Sequence, residues 1–230
     1  MNHNAVDFVK QKLLEFTGLS PETLQLLLGR KVYPTFKEEW DFWSPKNETE
    51  IQFFYVSNRS YLFGNAVHIL PEAIFDDINV GESVLDFGGG SGNYSVPLAF
   101  KGCNVSYFDI NILQREFVKY MSDTSPIDIH IVKHDIHYMP LFDKKFDAIL
   151  ALDVLEHIPN YPDYIERFAK SLKNNGRIYV FAPFGVTPHD PTHLEDTYGL
   201  TETMNKNGII FDEKIPVNNG ATGVIYRNKL

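Results

Sequence analysis

Along roughly the first eighty residues the apolar positions recur at intervals of three and four, the period of an amphipathic helix rather than of a strand. Phe8, Leu13, Leu14 and Phe16 form a first apolar face, closed by Gly18. Ser20-Pro21 reads as an N-cap followed by proline in the first turn, leading into Leu24, Leu26, Leu27 and Leu28. An aromatic-dense stretch follows, with Trp40, Phe42, Trp43, Phe53, Phe54, Tyr55, Tyr61 and Phe63, interrupted at Pro45. A further helix is predicted at about 59–70. From residue 83 the rhythm changes to short β-rich apolar runs, at 84–87, 105–108, 127–132, 146–152 and 177–182, alternating with helical segments. Strand–helix alternation without tandem hairpins predicts a parallel sheet covered on both faces. A loop rich in proline and histidine at 187–196 and a helix at 198–206 come next. Two last strands, at 209–215 and 223–227, flank Asn218-Asn219-Gly220 and are predicted to pair antiparallel. The pattern divides the chain into a helical extension over 1–75 and an α/β core over 76–230.

Composition narrows the class. A chain of 230 residues suits one domain with an attachment and buries a sizeable core. The formal net charge of -9 argues against nucleic acid as a partner, because phosphate binding needs a basic surface. Cys103 is the single cysteine, so neither an intramolecular disulfide nor a cysteine-rich zinc site is available, and a small buried thiol is the plain reading. No run approaches the length of a membrane helix, and the N-terminus lacks a signal-peptide pattern. The expected location is the cytoplasm.

The chemistry begins at Asp86-Phe87-Gly88-Gly89-Gly90-Ser91-Gly92-Asn93, after the first predicted strand and before a helix containing Val96, Leu98 and Ala99. Glycines there permit positive φ and close approach to a ligand at a helix N-terminus. A dinucleotide fingerprint counted from Gly88 and Gly90 requires glycine or alanine where this chain has Asn93. A phosphate loop fails as well, since no Gly-Lys-Ser/Thr follows. Asp86, at the carboxyl end of the strand, would repel a pyrophosphate and stabilise an ammonium. Asp109 ends the next strand at the distance where an acidic residue grips ribose hydroxyls, and Asp135 ends the one after. Each carboxylate alone is well explained as a cap or turn residue. Three at successive strand ends beside this loop are not.

Residues 83–182 resemble the class I S-adenosylmethionine-dependent methyltransferases of the small-molecule branch. Val84-Leu85-Asp86-Phe87-Gly88-Gly89-Gly90-Ser91-Gly92 is similar to their first motif, and the run from Ala148 to Ile158 to their motif at the fourth strand. The resemblance implies a Rossmann-like fold with a mostly parallel seven-stranded sheet, helices on both faces and a reversed C-terminal hairpin. It implies S-adenosylmethionine as cofactor and S-adenosylhomocysteine as product. Asp86 would meet the methionine ammonium, with Gly88, Gly89, Gly90 and Asn93 forming the loop around it. Asp109 would hold the ribose, with Ile110 and Ile136 against adenine, Asp135 on its amino group, and Leu152 and Tyr61 lining the pocket.

Methyl transfer from a sulfonium needs mainly alignment, and a base only if the acceptor arrives protonated. The candidates are Glu156 and His157 after the fourth strand, and His189 and His193 after the fifth. The plainer reading of Glu156-His157 is structural, and both loop histidines are as well read as solvated. The leading expectation is a metal-free N- or O-methyltransferase acting on a small molecule. Alternatives are a non-catalytic cofactor-binding regulator and a magnesium-dependent O-methyltransferase. The latter rests on Asp153-x-x-Glu156-His157, which resembles the Glu-x-x-Glu-His pattern of some such enzymes, with His193 as a further ligand. The N-terminal extension is expected to act as a lid, with Tyr55, Tyr61, Trp40 and Trp43 as an aromatic wall suited to a cationic acceptor.

Overall fold

The computed structural model describes residues 2–28, 36–65, 72–133, 145–187, 192–216 and 221–229. Among the described residues six helices precede the sheet: α1 (Asn2–Thr17), α2 (Pro21–Leu28), α3 (Phe36–Trp43), α4 (Glu48–Ser57), α5 (Ser60–Asn65) and α6 (Glu72–Asp77). Gly18 stops α1 at φ +68°, and the Ser20 hydroxyl accepts the Thr23 N–H at the start of α2, 3.2 Å away. The core then runs β1 (Ser83–Phe87), α7 (Ser95–Lys101), β2 (Asn104–Phe108), α8 (Ile112–Asp123), β3 (Ile129–Ile131), β4 (Phe146–Leu152), α9 (Tyr161–Ser171), β5 (Leu172–Phe181), α10 (Leu200–Lys206), β6 (Ile209–Pro216) and β7 (Thr222–Asn228).

The strands form one sheet in the order β3-β2-β1-β4-β5-β7-β6. The first five are parallel, and β7 runs antiparallel to both β5 and β6. The expected C-terminal pairing is therefore present, although its connecting residues lie outside the described set. Strand alternation sends neighbouring side chains to opposite faces. Val84, Tyr107, Leu150, Tyr179 and Ile225 join one core, while Leu85, Phe108, Ile149, Ile178 and Tyr226 join the other. The first core is closed by α7 and α8 through Val96, Phe117, Val118 and Met121. The N-terminal helices close it too, through Leu13, Leu24 and Leu62, so this extension shares the core rather than building its own. On the second face α9 and α10 contribute Ile165, Phe168 and Met204.

Some boundaries differ from expectation. β3 is shorter than the apolar run, and β5 begins five residues earlier, at Leu172. The early part of β5 is the polar Lys173-Asn174-Asn175-Gly176, with Asn175 at φ +60° and a register shift opposite Phe146 and Ala148. Such an irregular stretch carries no β-rich signature.

Candidate active site

Strand order reverses between β1 and β4, and ligands of open α/β sheets bind at the carboxyl ends of strands beside that point. The glycine loop follows β1 there, and Asp153 follows β4. The loop is shaped by positive φ at Gly88, Gly90 and Gly92. Gly88 and Gly89 are also fixed by their protein neighbours. A β-carbon on Gly88 would stand 2.5 Å from Val154, and one on Gly89 would stand 2.7 Å from the Tyr107 ring and 2.8 Å from the Asp86 carboxylate. The crowding that demands these glycines thus comes from the segment after β4, from β2 and from β1 itself.

Asp86 is buried, and one carboxylate oxygen accepts from the Ser95 hydroxyl at 2.6 Å and the Ser95 N–H at 3.1 Å. Burial pushes its carboxyl up to about 6; the Ser95 hydrogen bonds oppose the rise and the nearby charge of Asp109 adds to it. Asp109 accepts the Gly90 N–H at 2.8 Å with one oxygen and the Asn111 N–H at 2.7 Å with the other. Its carboxyl is also raised by burial, against the pull of those N–H donors. Tyr107 completes the loop by donating to the Gly90 carbonyl at 2.6 Å. Asn93 and Ile110 are half-buried beside these groups, Ile110 packing on the second core and Leu152 on the first. Asp135, Ile136 and His189 lie outside the described residues.

The N-terminal helices reach the site through main-chain contacts. The Asn111 side chain caps α8 by accepting the Gln114 N–H, and its amide donates to the carbonyls of Tyr55, at 2.9 Å, and Asn58, at 2.7 Å. The buried Ser91 hydroxyl donates to the Leu62 carbonyl at 3.0 Å. Held in this way, Tyr61 stacks on Tyr55 with ring centroids 6.3 Å apart and planes 14° from parallel. Burial raises both phenols, and Asp153 and Glu156 act on each of them in the same direction. Asn111, Ser91 and Ser95 escaped sequence reading as site residues. Asn111 alone had a visible signal, as a cap residue just before the apolar face of a helix.

On the acceptor side, residues 155–157 form one tight helical turn after β4. Asp153 has φ +59°, an uncommon conformation that Asp tolerates better than most residues, and its N–H donates to the Phe181 carbonyl at 2.7 Å. Glu156 is fully buried, and neither carboxylate oxygen has a hydrogen-bond partner. Burial raises its carboxyl well above the ordinary range, and the charge of Asp153 adds to this. His157 Nδ1 lies 2.8 Å from the Tyr55 hydroxyl and 3.3 Å from the Thr192 carbonyl, and Nε2 lies 3.8 Å from Glu156 Oε1. The His193 ring stands edge-on to His157 at 4.9 Å. Glu156, His157 and His193 therefore come together, with donor atoms within 4.8 Å of one another.

A family model described as a methyltransferase domain matches residues 55–199, more than half of the chain. The ubiquinone biosynthesis O-methyltransferase of Rickettsia conorii is 30% identical over 118 residues, spanning 49% of this chain and 40% of that protein. The matched stretch is thus less than half the length of that curated relative. An S-adenosylmethionine-dependent methyltransferase from Aquifex aeolicus has a similar fold at a TM-score of 0.55 and 16% identity, covering 80% of this chain and 99% of that one. The N-methyltransferase NodS of Bradyrhizobium japonicum, crystallised with S-adenosylhomocysteine, superimposes at a TM-score of 0.53 and 15% identity, covering 66% and 80%. From its sheet order, its glycine loop and the matched family model, the chain belongs to the S-adenosylmethionine-dependent methyltransferases of the methyltransferase-domain family.

Proposed function

We propose that this chain transfers a methyl group from S-adenosylmethionine to nitrogen or oxygen of a small molecule. The observation that carries the reading is the pair Asp86 and Asp109, at the ends of adjacent strands, flanking a glycine loop at the point where strand order reverses. S-adenosylmethionine supplies a methyl already activated on a sulfonium. Asp86, which Ser95 engages through one carboxylate oxygen, would offer the other to the methionine ammonium. Asp109 keeps lone pairs for the ribose hydroxyls while bonded to Gly90 and Asn111. Ile110, Leu152 and Tyr61 would line the nucleoside pocket and Asn93 borders the loop, while the family resemblance gives the adenine end to Asp135 and Ile136.

The transfer breaks one carbon–sulfur bond and forms one bond from carbon to the acceptor, with the sulfur keeping the electron pair. Orientation supplies most of what is needed, roughly 7–11 kcal/mol when the reacting atoms are aligned. Tyr55 and Tyr61 confine the acceptor, and where it arrives protonated the candidates to take its proton are Glu156, His157 and His193, which the fold brings together, and, on sequence alone, His189. Residues 1–75 serve as the lid over the core at 76–230. The acidic charge and the single cysteine, which is buried and not in a disulfide, fit a cytoplasmic enzyme with no nucleic-acid partner. Among the described residues no helix is long and apolar enough to cross a membrane.

The test is calorimetric binding of S-adenosylhomocysteine against NAD, followed by transfer of labelled methyl from S-adenosylmethionine into a fractionated cell extract. Binding of the first ligand alone, with label in the small-molecule fraction, is expected. Label confined to protein or RNA would overturn the acceptor class. Selective NAD binding would overturn the cofactor.

A further inference from the structure

The magnesium site implied by Asp153-x-x-Glu156-His157 can be tested against the donors themselves. One observation fits a cation. Glu156 is fully buried with neither carboxylate oxygen in a hydrogen bond of good geometry, and buried polar groups are otherwise hydrogen-bonded or given to metals. The donor set, however, does not fit magnesium. What converges among the described residues is one carboxylate and two imidazoles; Asp153, exposed beside Glu156, is not among the converging donors. Magnesium demands octahedral oxygen ligation, whereas imidazole suits zinc, iron, nickel and copper.

We propose that Glu156, His157 and His193 bind a divalent transition-metal ion of borderline softness, of the zinc or cobalt kind, and not magnesium. The imidazole orientation supports this. A metal-bound histidine usually donates its other ring N–H to a carbonyl or similar acceptor. His157 Nδ1 has such groups in the Thr192 carbonyl and the Tyr55 hydroxyl, which turns Nε2 toward Glu156 Oε1, 3.8 Å away. Two metal–ligand bonds of about 2.0–2.2 Å span a gap of that size. The loop bearing His193 is tied to the same place, because the Leu194 N–H donates to the Glu156 carbonyl at 2.8 Å. Three protein ligands leave a coordination position for water or an acceptor heteroatom, as in catalytic zinc sites.

The experiment uses the full chain stripped of metal and titrated with Co2+, Zn2+ and Mg2+. Calorimetry, the visible absorption of bound Co2+ and the melting temperature are the readouts, none of which depends on turnover. One Co2+ or Zn2+ ion per chain is expected, with a raised melting temperature and no displacement by millimolar Mg2+. His193→Ala, a change in a half-buried loop, should weaken Co2+ binding at least about tenfold, the loss that even outer partners of a ligand can produce. Glu156→Gln should do the same, with circular dichroism showing that it folds. Uptake no greater than in a His157→Ala/His193→Ala double variant, uptake unchanged in His193→Ala, or displacement by Mg2+ would overturn the proposal. Because S-adenosylhomocysteine binding is measured separately, failure here leaves the methyltransferase reading standing.

Discussion

Asp86 carries a charge in a place that resists it. Its carboxyl is raised from 3.8 to about 6 by burial, so the folded chain binds this proton more tightly than the unfolded one. Stability from this group is therefore fully present below about pH 4 and falls as pH rises through about 6. The shift corresponds to a loss of about 3 kcal/mol. Asp86→Asn should flatten that fall, measured by urea unfolding at pH 5 and pH 7.5. A cationic ligand has the opposite preference and needs the carboxylate charged. S-adenosylhomocysteine should thus bind more tightly as pH rises through about 6, and Asp86→Asn should remove the dependence in calorimetry. Gly88 makes a different demand. Gly88→Ala forces a β-carbon against Val154 at φ +72° and should cost about 2–5 kcal/mol, combining left-handed strain with overpacking. Val154→Ala in that background should return part of the loss in a thermal melt.

At the scale of elements, Asn111 joins three pieces: the end of β2 through Asp109, the start of α8, and the C-terminal end of α4. Asn111→Ala removes a helix cap worth about 1 kcal/mol and two buried hydrogen bonds of about 0.5–1.5 kcal/mol each. A loss of about 2–4 kcal/mol in urea unfolding is expected, with faster amide exchange in α4 than in α8. Asn111 also shows what the sequence made legible. Its capping role could be read from position, because an Asn before an apolar helical face has a local signature. Its bonds to the Tyr55 and Asn58 carbonyls could not, since main-chain acceptors fifty residues away leave no trace in residue type. The sheet behaves likewise. β1, β2 and β4 were legible from apolar runs buried on both faces, and the β5 start was not, because Lys173 to Gly176 are polar and irregular. The site divides along the same line. The carboxylates at strand ends were visible through spacing, whereas the burial of Glu156 and its approach to His193 depend on how two separate segments fold together.

For the whole molecule the chief consequence concerns the N-terminal third. Leu13 has no exposed surface and lies in the same core as Val84 and Leu150. Leu13→Ala should therefore destabilise the entire chain by about 2–5 kcal/mol in a single transition, rather than loosening α1 alone. Removing residues 2–28 should expose the apolar faces of α7 and α8 and increase binding of a hydrophobic dye. If the truncated chain instead melted cooperatively at the original temperature, the N-terminal helices would be an appendage and not part of the core.

The fastening of those helices to the cofactor loop has an evolutionary consequence. Asn111 and Ser91 recognise the carbonyls of Tyr55, Asn58 and Leu62, groups that every amino acid possesses. The anchors are therefore indifferent to which side chains stand at 55 and 61. If Tyr55 confines the acceptor as proposed, that position can vary, in descent or in a randomised library, while the hydrogen bonds that hold these helices to the cofactor loop are inherited unchanged.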